Sequence, residues 1–260
     1  MSVRLPFAIK GVNPEQRLDN MDECIRHDFP RLQKVPFHDE RLTLVCYGPS
    51  LRRTWHLVRH PFMTVSGAHD FMLHRGMKPD YHVDCDPREH KATFTARPAA
   101  GVKYLMASCM HPQAWRNLAG MDVTIWHEHE GDETAAWQAA NDPKAELIGG
   151  GTTVGMRALE IGARLGYRRY KIHGMDCSYV TDATHAGEHP TKNQMRGRVR
   201  CGTRGFETTP QLYSAAEEML KFISTYDVEV EFFGDGLLQA MVKEYERNIM
   251  RLSAKRSAHA

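Results

Sequence analysis

From Leu42 onward the chain alternates short apolar runs with amphipathic stretches. Leu42-Thr43-Leu44-Val45-Cys46-Tyr47 is a continuous run ending at Gly48-Pro49, the pattern of a strand buried on both faces. Similar runs at 62–66, 81–86, 102–107 and 122–126, one ending at Ile148, and others at 170–172 and 228–233 predict further strands. Helices are predicted after the Gly48–Leu51 turn through Val58 and over 68–75, 88–96, 111–118, 132–140, 154–165, 210–223 and 235–252. Such alternation predicts an α/β fold, a Rossmann-like and mostly parallel sheet with helices on both faces. Residues 1–40 lack strand alternation and read as an N-terminal helical extension, with a helix start near Asn20-Met21-Asp22-Glu23. The Rossmann-like domain then spans 41–252. Within it, 188–208 form a basic hairpin, and 253–260 follow as a flexible tail.

The most informative stretch runs from Ala145 to Gly187. Its apolar residues stop at Ile148, and Gly149, Gly150 and Gly151 lead through Thr152 and Thr153 into a helical pattern at Val154, Ala158, Ile161 and Leu165. Gly166 ends that helix, and a strand then leads to Gly174, with Asp176 just past its end. This is a βαβ unit whose loops reach the carboxyl edge of the sheet, where open α/β sheets place ligands. A glycine turn entering a helix leaves backbone N–H groups and a positive dipole end for a phosphate. The alternative is a tight turn without a ligand.

Composition narrows the setting. Net charge is only +2 over 260 residues, which makes no general case for nucleic acid. No apolar signal core opens the chain and no run approaches a membrane span, so a cytoplasmic protein with no membrane partner is expected. The six cysteines are scattered without a C-x-x-C pair, supporting neither a disulfide framework nor a zinc site. His127-Glu128-His129 is the nearest approach to a metal cluster and reads better as a solvated strand end.

Several strand-end loops carry candidate chemistry. In Gly48-Pro49-Ser50-Leu51, the glycine admits close backbone approach and Ser50 can cap a helix or offer its N–H to a phosphate. Ser66-Gly67 can hold a base or ribose, or simply turn the chain. Asp84 and Asp86 lie two apart at a strand end, so both carboxylates leave one face and suit a magnesium ion that bridges phosphates. One of them can instead cap the next helix. Gly174, Asp176, Ser178 and Tyr179 line another loop, and His185 can serve as a general base. Lys192, Arg196, Arg198, Arg200 and Arg204 make the hairpin a candidate lid that clamps polyphosphate, with a solvated face or a nucleic-acid contact as competing readings.

Taken in order, Gly48-Pro49-Ser50-Leu51, Ser66-Gly67, Pro79-Asp80-Tyr81 with Asp84 and Asp86, Gly150-Gly151-Thr152-Thr153-Val154, Leu165-Gly166, Gly174-Met175-Asp176 with Ser178-Tyr179, and His185-Ala186 resemble the 6-hydroxymethylpterin diphosphokinase MptE-like family. That family includes motility accessory factors and is similar in fold to sialyltransferases that use CMP-sialic acid. The resemblance spans roughly 42–235. It implies a nucleotide at the carboxyl edge of the sheet and magnesium-dependent transfer of diphosphate from ATP to a hydroxymethyl group. Among its relatives, glycosyl transfer from a CMP-linked donor is the alternative. The basic 188–208 segment departs from the family pattern. The sequence therefore leads to a transferase acting on small-molecule substrates. Asp84, Asp176 and His185 are its catalytic candidates, and Asp84 with Asp86 its Mg²⁺ ligands. The Gly48–Leu51 and Gly150–Thr153 turns, Arg198 and Arg200 are its nucleotide or substrate contacts. A non-catalytic nucleotide- or nucleic-acid-binding module is the remaining alternative.

Overall fold

A computed structural model describes residues 13–180, 183–188 and 195–257; Lys192 of the basic segment and the end of the tail lie outside them. Its frame is one eight-stranded sheet. In chain order the strands are β1 (Arg41–Val45), β2 (Phe62–Val65), β3 (Tyr81–Asp84), β4 (Lys103–Ala107), β5 (Asp122–Glu128), β6 (Leu147–Ile148), β7 (Arg169–His173) and β10 (Glu229–Phe233). Spatially they run β10-β7-β1-β2-β3-β4-β5-β6, and every neighbouring pair is parallel. A separate antiparallel hairpin joins β8 (Gly197–Cys201) to β9 (Arg204–Thr208).

The order has one reversal. Strands β1 to β6 march outward in one direction, and the chain then returns to lay β7 on the other side of β1. The crevice at the carboxyl ends of β1 and β7 is thus the topological switch point, the place where such sheets bind ligands.

Each face of the sheet has its own apolar layer. Leu42, Leu44, Tyr170 and Ile172 pack with α6 (Val154–Arg164), α7 (Pro210–Thr225) and α8 (Leu237–Ser257). On the opposite face, Val45 and Phe62 meet Leu51 of α2 (Leu51–Thr54) and Ala68, Phe71 and Met72 of α3 (Ala68–Leu73). Tyr104, Met106, Val123 and Ile125 continue that face against α4 (Pro112–Asn117). The continuous apolar run at 42–47 is explained by this two-sided burial. At the β7–β10 end the second face instead carries ion pairs in solvent, Arg41 and Arg169 with Glu229 and Lys171 with Glu231.

The N-terminal helix begins earlier than the sequence reading placed it. α1 covers Pro14–Ile25: Asn13 accepts from Glu15 N–H at 3.0 Å, and Pro14 occupies the first turn, where its missing N–H costs nothing. Asn20, read as a helix start, is instead buried and donates to the carbonyls of Pro87 and Cys109, at 3.0 and 2.8 Å. α1 is therefore stitched to the loops after β3 and β4. Beyond it, Arg31 bridges Ile125 on the outer edge of β5, which β6 continues at His127 and Glu128. Covered this way, His127-Glu128 is buried, correcting the expectation of a solvated strand end. Among the described residues no helix is long and apolar enough to cross a membrane, and all six cysteines are unpaired.

Candidate functional site

The carboxyl ends of β1, β2, β3, β5 and β7 open on one cleft of about 770 Å³, walled also by the start of α6, the start of α7 and Arg17 of α1. At the switch point two loops are laced together. Gly48 N–H donates to Gly174 O at 2.7 Å, Ser50 N–H to Asp176 Oδ2 at 2.8 Å, and Leu51 N–H to Gly48 O at 3.1 Å. A Cβ at Gly48 would overlap Gly174 O and stand 2.5 Å from Asp176 Oδ2, so only glycine permits this approach. The consequence corrects the sequence reading. The N–H groups of the Gly48–Leu51 turn that were expected to cradle a phosphate are spent inside the protein, one of them on a carboxylate.

Asp176 holds that junction. It is buried, its Oδ1 has no partner, and burial raises its carboxyl pKa against the lowering effect of the Ser50 hydrogen bonds. Its backbone carbonyl accepts from Leu238 N–H at 3.2 Å, and Ser178 Oγ accepts from Leu237 N–H at 3.1 Å. Loop 174–178 thereby also fixes the start of α8.

The glycine turn before α6 shows the same substitution of protein for ligand. Thr153 caps the helix, and Gly151 sits at φ +84 with its hydrogen facing Met156, where a side chain would clash. Thr152 N–H donates to Glu218 Oε2 of α7 at 2.8 Å, and its hydroxyl reaches the same oxygen at 3.2 Å. A carboxylate of the chain's own occupies the oxyanion position at Thr152.

Asp84 and Asp86 do not act as a pair. Strand β3 ends at Asp84, so its alternation does not carry on to Asp86, and the expected shared face is lost. Asp84 is fully buried off the cleft, with Oδ1 accepting from Cys85 N–H at 2.8 Å and Oδ2 unpartnered. Burial, then the neighbouring Asp86, push its pKa up to about 7. Asp86 lines the cleft, but Arg88 grips both its oxygens at 2.8 and 2.5 Å and Lys91 stands 3.9 Å away. Although burial would raise the Asp86 carboxyl, these cations outweigh it and hold the pKa below its usual value. Magnesium takes one or two protein carboxylates beside substrate phosphates; with Asp84 off the cleft and Asp86 held by Arg88, this pair does not offer two open carboxylates to one ion. Among the described residues no group of three or more His, Cys, Asp or Glu side chains could hold a metal ion.

The cleft's charge comes mainly from residues that the sequence reading passed over. Arg17, Arg88, Lys91, Glu128, Glu130 and Arg157 all line it. Arg157 did leave a sign: three positions after Val154 and one before Ala158, it puts a charge on the buried face of α6. Arg17 left none, because only the fold brings α1 to the cleft. His185, in the loop packed over Tyr47, bonds to Thr184 Oγ1 at 2.7 Å. Burial, then Lys91, lower its pKa to about 4, so the imidazole is neutral at pH 7.

Of the residues singled out from sequence, Gly48, Ser66, Asp86, Gly151, Thr152, Thr153, Gly174, Asp176, Ser178 and His185 line the cleft. Pro49, Ser50, Leu51, Gly67, Asp84, Gly150, Tyr179, Arg198 and Arg200 stand outside its wall. Ser50 still serves through its N–H to Asp176, and Leu51 is core. The hairpin's base is pinned by Thr208 Oγ1 to Cys177 O at 2.7 Å and by Tyr179 N–H to Glu207 O at 2.8 Å. Arg198 lies in solvent against Glu207, and Arg196 packs over the Tyr179 ring at 4.2 Å.

Fold and cleft together define a Rossmann-like protein with a polar cleft at its switch point. Residues 15–182 match the model of the 6-hydroxymethylpterin diphosphokinase MptE-like family, and the chain belongs to that family. At a coarse level this membership supports a transferase that uses a nucleotide. Among solved structures, a MAf glycosyltransferase from Magnetospirillum magneticum AMB-1 aligns with TM-score 0.68 at 12% identity, over 92% of this chain and 42% of that one. The chain thus spans less than half of that neighbour's length, and the likeness is one of fold. A mammalian sialyltransferase aligns with TM-score 0.46 at 11% identity, over 90% of this chain and 83% of that one. No curated protein matches the chain in sequence.

Proposed function

We propose that the protein transfers a group from a nucleotide donor to the hydroxyl of a small acceptor, and that the family reaction, diphosphate from ATP to a hydroxymethylpterin-like acceptor, is the first to test. The observation that carries this is a neutral, half-buried His185 on the same cleft as Lys91 and Arg88. In the transfer, His185 takes the acceptor's hydroxyl proton as its oxygen forms a bond to the β-phosphorus. The bond from that phosphorus to the α-phosphate oxygen breaks, and AMP leaves. Lys91 and Arg88 offset the charge on the departing phosphate. No step here runs through magnesium.

A second reading draws on the occupied Asp86. With both its oxygens held by Arg88, the cleft lacks the paired carboxylates that ATP chemistry commonly uses. Glycosyl transfer from a CMP-linked donor instead develops charge on a single phosphate, which Lys91 and Arg88 can meet without a metal.

The deciding experiment titrates the folded protein calorimetrically with ATP, CTP and CMP, with and without magnesium. It then assays AMP release with 6-hydroxymethylpterin as acceptor. Binding of ATP with AMP release supports the first reading, and selective retention of CMP moves the assignment to the second. No binding of any nucleotide would overturn both. His185→Ala is expected to lower the transfer rate about 100-fold or more.

A further inference from the structure

The end of the cleft under β5 holds charges that the transfer step above does not use. Arg157, in the first turns of α6, is 8% exposed and lines the cleft. Its Nε meets Glu128 Oε1 at 2.8 Å and its Nη2 meets Glu130, yet its Nη1 has no partner. Arg17, reaching in from α1, has Nη2 3.7 Å from Glu130, and its buried Nε stands 4.0 Å from Glu128 Oε2 without a hydrogen bond. Val154 and Gly155, at the N-terminus of α6, belong to the same wall. Buried donors are nearly always paired, and an unpaired one in a binding cleft marks a place for an acceptor atom. Here Arg157 Nη1 is such a donor, and the Arg17 guanidinium of another helix shares its cleft.

Charge balance narrows the ligand. Glu128 and Glu130 already offset the two guanidinium groups, so the corner has no surplus to match a polyphosphate. The start of α6 adds a modest preference for one more negative charge. Guanidinium donors suit the planar oxygens of a carboxylate. We infer that this corner binds a carboxylate carried by a small-molecule substrate. Assigning the carboxylate to a substrate rests on the transferase reading; the seat itself does not.

The test uses thermal unfolding of the full chain at matched ionic strength. Glycolate is the probe, ethylene glycol its uncharged counterpart, and inorganic phosphate the competing oxyanion. Glycolate is expected to raise the unfolding midpoint saturably in the millimolar range while ethylene glycol does not. Arg17→Gln, whose side chain is only partly buried, is expected to weaken glycolate at least tenfold, as is Arg157→Lys if it folds. Arg198→Gln on the exposed hairpin is expected to leave it unchanged. Equal shifts with ethylene glycol, a glycolate shift that survives Arg17→Gln, or a shift with phosphate alone would overturn the assignment. ATP and CTP titrations in the same buffer separate the two proposals. Glycolate binding without nucleotide binding sinks the transferase and keeps the carboxylate seat, and the converse sinks the seat.

Discussion

The backbone N–H of Ser50 donates to Oδ2 of Asp176 at 2.8 Å, joining loops 126 positions apart in sequence. It is the tie that closes the switch point of the sheet. Asp176→Ala would leave that buried N–H without an acceptor, at a cost of about 1–3 kcal/mol. Asp176→Asn keeps an acceptor oxygen and removes a desolvated charge, so it is expected to cost less than Ala. Urea unfolding midpoints check the order; a more stable Ala variant would count against the tie.

Asp84 gives the protein an unusual pH term. Its folded pKa is raised to about 7, so between about pH 4 and pH 7 the folded state holds a proton that the unfolded chain has lost. The term therefore favours folding at acid pH and is lost as pH rises through 7, by up to about 4 kcal/mol. Asp84→Asn lacks it. The stability of that variant relative to the parent should climb from about pH 4 to pH 7 and then level off. A difference that stays flat across this range would show that Asp84 ionises normally.

Glu218 sits where a phosphate was expected. Glu218→Ala should release Thr152 N–H and loosen α7 from the turn, lowering stability by about 1–2 kcal/mol. If the turn is a phosphate seat held closed by Glu218, the same variant should bind inorganic phosphate or ATP more tightly than the parent. Lower stability without tighter binding would mark the turn as structural.

Ser108, His127 and Asp142 form a chain that looks like hydrolase machinery. Ser108 Oγ lies 2.7 Å from His127 Nδ1, and His127 Nε2 lies 3.0 Å from Asp142, which also accepts from Arg31 at 2.7 Å. Both Ser108 and His127 are fully buried and neither lines the cleft, so no substrate reaches the hydroxyl. Burial, working against Asp142, lowers the His127 pKa. A fluorophosphonate probe should not label Ser108, and Ser108→Ala should cost about 1 kcal/mol of stability with no loss of transfer activity. Labelling of Ser108 would reverse that view.

The strands and most helices were legible because each answers to a local rule. Leu42 to Tyr47 reads as a strand from its own residues, and Val154, Ala158, Ile161 and Leu165 read as α6 from their spacing. The loops at the carboxyl edge were legible as a group, since a parallel sheet brings Gly48, Ser66, Gly151 and Asp176 to one end. What each polar group does there was not. The partner of Ser50 is Asp176 and that of Thr152 is Glu218, 66 positions away. No spacing rule separates a turn that awaits a phosphate from one already filled by a distant carboxylate. The Asp84-x-Asp86 pattern misled for a simpler reason: the strand ends at Asp84, two residues before Asp86, so alternation does not hold.

The bridge between Arg31 and Ile125 also decides how the sheet stops growing. A parallel sheet must end somewhere, and an unpaired outer strand is an invitation to another chain. Here Leu32 N–H donates to Ile125 O at 2.8 Å and Ile125 N–H to Pro30 O at 2.8 Å, with two-residue β6 taking over where that contact ends. The segment after α1 is thus a guard against self-association. Trimming the chain to 41–252 would remove it along with Arg17, and would leave the outer edge of β5 at Ile125 without its pairing.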